Sequence, residues 1–144
     1  MILIEVNMWA VLVAALAHVG IGFVWYSPYV FGKIWIRLMG FNVDTSEGRA
    51  AWEERQKNMG KTFTLTAMGA LIMSYVLAYF MEMFFVDTIA DAVRIGFIAW
   101  LGFIATTSFV TVLFSGKSKK LWAIDNCYPL FSMLVMSVIF VLWQ

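Results

Sequence analysis

Four long apolar runs separated by short polar stretches set the pattern of this chain. They cover residues 6–27, 62–86, 92–114 and 121–143, each about as long as a helix must be to cross a bilayer. Between the first two lies the longest polar-rich stretch, residues 28–61. Its opening, Pro28 to Met39, has the spacing of an amphipathic helix lying on the membrane surface. Val30, Phe31, Ile34, Trp35 and Leu38 can face lipid there, while Lys33 and Arg37 reach phosphates. Gly40 is placed to end that helix in a left-handed cap. Asp44 with Glu47 resembles a capping box. Arg49, Glu53 and Lys57 then alternate in sign four residues apart, with Lys61 one step further, the mark of an exposed helix leading, with or without a break, into the second span. The predicted fold is all-α: a four-helix transmembrane bundle with an interfacial helix after span one and a cytoplasmic helical extension before span two.

The junction Trp25-Tyr26-Ser27-Pro28 marks where the first run meets water. Rings with polar tips favour the headgroup level, and Pro28 biases Ser27 away from helical angles. Trp25, Tyr26, Lys33, Trp35 and Arg37 are therefore the expected interface anchors. Ala15-Leu16-Ala17 imitates a signal-peptidase site, but no basic stretch precedes it, so the first run reads as a span. Of the ten Lys and Arg residues, only Arg94 lies near the end holding Glu5, Glu82, Asp87 and Asp91; it is expected to pair with Asp91 or Glu82. The other cations lie in 28–61 and the loop 115–120, so the positive-inside rule predicts both segments cytoplasmic and both termini outside.

Composition agrees. The chain is 62% hydrophobic and 13% charged, against roughly 25% charged in soluble domains, and its mean hydropathy is +0.84. Most of its surface must face lipid, as in one small integral membrane domain of 144 residues. A net charge of +1 gives no reason to expect nucleic acid. One cysteine, Cys127, excludes an intrachain disulfide, and no Cys/His cluster suggests zinc.

Candidate chemistry is sparse. His18 falls near the middle of the first span, where an ionisable group is costly and hence a functional suspect. One reading is a neutral imidazole bonded to a neighbouring helix; the others are a proton relay or an axial ligand to haem or a chlorin, Ala14-x-x-x-His18 resembling a light-harvesting pigment motif. Asp125 opens the fourth span, and Pro129 cannot donate to its carbonyl, predicting a kink. Asp125, Tyr128 and Ser132 share a stripe suited to a small solute or cation. The alternative is a carboxylate favoured by the helix dipole and drawn to Lys117, Lys119 and Lys120. Thr107 and Thr111 are expected to share a face with Gly96 and Trp100. Ala70, Ser74, Ala78 and Glu82 form a stripe suited to close helix contact. With no HExxH, GxSxG, P-loop or paired carboxylates, no enzyme signature is present.

Certain blocks resemble a known family: Asn7-x-Trp9, then Trp25-Tyr26-Ser27-Pro28 with Phe31-Gly32-Lys33-x-Trp35, Trp100-Leu101-Gly102-Phe103, Ile124-Asp125 with Tyr128, and Met136 with Trp143. Nearly the whole chain is similar, in order, to the small bacterial four-span proteins called domain of unknown function 1761. The resemblance implies a fold and a membrane location, not a reaction. The expected role is a non-catalytic bacterial inner-membrane protein acting as a homo-oligomer or as an accessory subunit of a larger membrane complex. One alternative is an oligomeric channel, transporter or solute binder whose polar pathway uses His18, Thr107, Thr111, Asp125 and Tyr128. The other is a haem or chlorin protein ligated by His18. Membrane lipid is the expected environment, and no cofactor is otherwise implied.

Overall fold

The four apolar runs become four long helices because each is continuous, nearly uncharged and able to satisfy every backbone group internally, as lipid demands. The computed structural model describes residues 5–57 and 59–143; the first four residues of the chain, Asn58 and Gln144 lie outside the described residues. α1 is Met8–Trp25, α2 Gly32–Leu38, α3 Ser46–Gln56, α4 Met59–Met83 and α5 Ile89–Ala99. A π-helical stretch, Trp100–Ala105, joins α5 to α6, Thr106–Ser115, and α7 is Lys119–Leu142. No strand occurs among the described residues. The four helices of spanning length start and stop within three residues of the predicted runs.

Local chemistry sets the helix ends. Asn7 accepts from the N–H groups of Trp9 and Ala10 at the head of α1, and Ser118 accepts from Lys120 at the head of α7. Thr88 does the same for Asp91 on α5. α3 corrects one expectation: its cap is Thr45, whose hydroxyl accepts from Gly48 N–H at 3.1 Å. Asp44 instead pairs with Arg37 at 2.7 Å. α3 ends at Gln56 and α4 begins at Met59, so the two are separate elements. Lys57 pairs with Glu54, not with Glu53 as i, i+4 spacing suggested. Gly40 has φ +92°, as its capping role requires.

α7 packs against α1 and α5, and more lightly against α4, which lies along the other side of α1. The apolar core collects at the end that carries the chain termini. There Ala10, Val11 and Ala14 of α1 meet Leu77, Ala78 and Met81 of α4, and Met136 and Phe140 of α7 close the layer. Small residues let the backbones approach, since van der Waals contact, not water exclusion, holds helices together in lipid. The stripe Ala70, Ser74, Ala78 faces α1, and Ser74 Oγ donates to the Val11 carbonyl at 2.8 Å. Gly96 serves α5 similarly: a Cβ there would lie 2.4 Å from Ser137 Oγ. Arg94 pairs with Asp91 at 3.2 Å.

The π stretch changes the face that follows it. Its i→i+5 bonding inserts an extra residue into the turn, rotating everything beyond by about 100°. Ser108 and Val112 therefore continue the face of Gly96 and Trp100, half-buried, while Thr107 and Thr111 turn outward and are exposed.

Candidate functional site

Polar contacts gather at the opposite end, around the start of α7. Pro129 withholds the helical bond to the Asp125 carbonyl. Indoles fill in around the same turn: Trp25 Nε1 donates to the Ile124 carbonyl at 3.1 Å and Trp100 Nε1 to the Asn126 carbonyl at 2.9 Å. Asn126 Nδ2 donates to the Trp122 carbonyl at 2.9 Å, while its Oδ1 accepts from Ser108 at 2.6 Å. Trp122 Nε1 in turn donates to Ser108 Oγ at 3.0 Å. Three helices are thus joined by side chains that leave their donors satisfied.

Asp125 is the hub of the cap formed by α2 and α3. It is half-buried, and its Oδ1 accepts from Tyr26 Oη at 3.0 Å and from Trp35 Nε1 at 2.8 Å. It lies well past the first turn of α7, and among the described residues no ion pair joins it to Lys117, Lys119 or Lys120. The dipole-and-lysine reading is therefore replaced by a side-chain clasp. Burial first, and the Asp125 carboxylate next, push the Tyr26 phenol up from its ordinary range one residue past the first span, so it remains a donor. Trp35, expected to face lipid, faces the protein. Its ring meets Tyr26 at 5.2 Å and Trp52 of α3 at 5.9 Å, both edge-on. Gly32 explains the glycine in the Phe31-Gly32-Lys33 block. A Cβ there would lie 2.4 Å from the Tyr26 carbonyl oxygen and 2.7 Å from that of Ser27, so only glycine lets α2 fold back onto the end of α1.

His18 lies one layer deeper and is 6% exposed. Its Nδ1 is 2.8 Å from Ser132 Oγ, and the Ser132 hydroxyl donates to the Tyr128 carbonyl at 3.0 Å. Nδ1 and the Ser132 hydroxyl share one hydrogen bond, which fixes the ring and leaves Nε2 on its other side. Nε2 has no hydrogen-bond partner among the described residues. Tyr128 packs its ring 4.8 Å from the imidazole and donates to the His18 carbonyl at 3.0 Å. A Cβ on Gly22 would press within 2.9 Å of that phenol oxygen, which is why a glycine stands one turn after His18.

The structure thus brings together His18, Tyr128 and Ser132, and beside them Asp125, Tyr26 and Trp35, the two groups touching through the edge-on rings of Tyr26 and Tyr128 at 5.6 Å. It does not bring Thr107 or Thr111 to either group. Their hydroxyls donate back to the carbonyls of Phe103, at 2.5 Å, and Thr107, at 3.1 Å. Nor is the polar chain continuous: Tyr128 Oη turns to a backbone carbonyl rather than to Tyr26 Oη. Sequence reasoning missed Asn126, Ser108 and Trp122 as a connected group; the Asn in the second turn of the fourth span was the available signal. Of the expected anchors, Trp25, Tyr26 and Trp35 are taken up by the protein and Arg37 by Asp44, leaving Lys33. At the termini end a cleft of about 140 Å³ is lined by Asn7, Ala10, Ala78, Glu82, Phe140 and Trp143 among others, none of them a predicted site residue.

Comparison with known proteins adds one result. The family described as "Protein of unknown function (DUF1761)" matches residues 9–141, nearly the full chain, and the protein belongs to that family. No curated protein and no solved structure matches it.

Proposed function

We propose that this member of the DUF1761 family is a non-catalytic protein of the bacterial inner membrane that acts by association, as a homo-oligomer or as an accessory subunit. Both termini then lie outside, and 28–61 and 115–120 in the cytoplasm. The observation that carries this reading is the third span. Only 6% of its most apolar stretch is buried, against 33% in the fourth. Its outward face carries Gly102 and Thr106, four residues apart and exposed, with nothing within 4 Å of a Cβ built on Gly102. Small residues at that spacing favour close approach of another transmembrane helix. The third span therefore has room for a neighbour that the monomer does not supply. The stripe of Ala70, Ser74 and Ala78 is spent within the monomer, against α1, and so does not serve as the partner face.

The test is native mass after gentle extraction from the source membrane, with an absorption spectrum of the same sample. The expected mass is a multiple of the 16.4 kDa chain, or that of a larger complex. Gly102→Leu should reduce it to the single chain while helix content is kept. A monomeric mass in several mild detergents, unchanged by Gly102→Leu, sinks the proposal.

One observation favours the solute-binding alternative: the unpartnered Nε2 of His18, a ring nitrogen held at membrane depth by the bond of Nδ1 to Ser132. In that reading His18 and Asp125 lie on a path completed by assembly, and His18→Ala removes a flux without changing the native mass. A haem or chlorin on Nε2 would have to displace protein, since the ring is almost wholly covered. A visible absorption band lost in His18→Ala would support the pigment alternative.

A further inference from the structure

We propose that the outer side of the cap, formed by Tyr29, Val30, Lys33 and Ile34, is a docking surface for anionic phospholipid headgroups. Its orientation is set from behind. Trp35, on the other side of α2, is bonded to Asp125 and packed against Trp52. Gly32 is pressed onto the carbonyls of Tyr26 and Ser27. What remains is a ridge turned away from the protein: Tyr29 is 96% exposed, Val30 43% and Ile34 53%.

Tyr29 and Val30 in the turn before α2, with Lys33 and Ile34 in its first turn, set exposed apolar side chains beside a cation. Such a pattern seats a helix at the boundary of headgroups and acyl chains. Charge decides which headgroups. Lys33 is in no ion pair among the described residues, whereas Arg37, one turn on, is neutralised by Asp44. The segments at this end carry nine cations against Asp44, Glu47, Glu53, Glu54 and Asp125. A net positive surface beside an exposed apolar ridge prefers an anionic bilayer surface to a zwitterionic one. The proposal is independent of the association read from the third span.

The experiment uses the whole chain with a spin label at position 34 (Ile34→Cys in a Cys127→Ser background). It is reconstituted in vesicles of phosphatidylcholine alone or mixed equally with phosphatidylglycerol. A second label, at Ile98→Cys in mid-span, is the control. The expected result is shielding of position 34 from a water-soluble relaxant, increased about fivefold by the anionic lipid. Lys33→Gln should abolish that increase and Lys33→Arg keep it, with position 98 unmoved in all cases. Equal shielding in both vesicles, or a label open to water in both, overturns the proposal. So does reproduction of the shift by inorganic phosphate added to the neutral vesicles.

Discussion

The two ends of this bundle are held by different means. At the termini end the contacts are apolar and close, with Ala10, Ala14 and Ala78 letting α1 and α4 approach and Gly96 admitting Ser137. At the cap end α7 is joined to its neighbours by indoles, hydroxyls and one carboxylate, from Trp25 to Ile124, Trp35 to Asp125 and Trp100 to Asn126. Lipid gives no hydrophobic drive between helices, so packing and hydrogen bonding are the available means. They fail differently. Close packing tolerates no added volume, while a hydrogen-bonded end tolerates volume better than the loss of an acceptor.

Four substitutions sharpen that contrast. Gly96→Leu, at the packed end, must push α5 off α7, at a cost of about 1–3 kcal/mol or more. It should show as a large drop in the thermal midpoint in detergent, and Ser137→Ala should recover part of it. Asp125→Leu, at the bonded end, leaves Tyr26 and Trp35 without an acceptor, at about 1–3 kcal/mol. Its effect should be local: hydrogen exchange should rise across residues 29–41 while the termini end stays protected. Equal loss at both ends would break the contrast.

A smaller effect is expected from Ser132→Ala, about 0.6 kcal/mol by the average for hydrogen bonds between membrane helices. It removes the hydroxyl bonded to His18 Nδ1, so the ¹⁵N shifts of the ring should change. Thr107→Val should be nearly neutral, within about 0.5 kcal/mol, because that hydroxyl is exposed and bonds only to its own helix. A large loss there would mean that the proposed contact at Gly102 and Thr106 extends round the helix to Thr107.

Much of this architecture was legible along the chain, for a physical reason. A bilayer spaces apolar runs by its thickness, so four runs became four helices, and Gly40 ends the surface helix through its own backbone freedom. The pairing of Arg94 with Asp91 is equally local. His18 as an imidazole bonded to a neighbouring helix was also among the predicted readings, and the structure names Ser132 as its partner.

Other features required three dimensions. Thr107 and Thr111 were assigned to the Gly96 face by an α-helical count that one π turn invalidates. Asp125 was placed with the lysines beside it in sequence, yet its partners Tyr26 and Trp35 come from about 90 and more positions away. Trp35 is interfacial by composition and inward by fold. Sequence alone determined which segments enter the membrane, where they end and which end is cationic, because each depends on solvation and nearest neighbours. Tertiary structure alone decided which face of each helix is protein and which is lipid. That choice follows from close approaches between segments: Gly22 makes room for the Tyr128 side chain, Gly96 for that of Ser137, and Gly32 for the carbonyls at the end of α1.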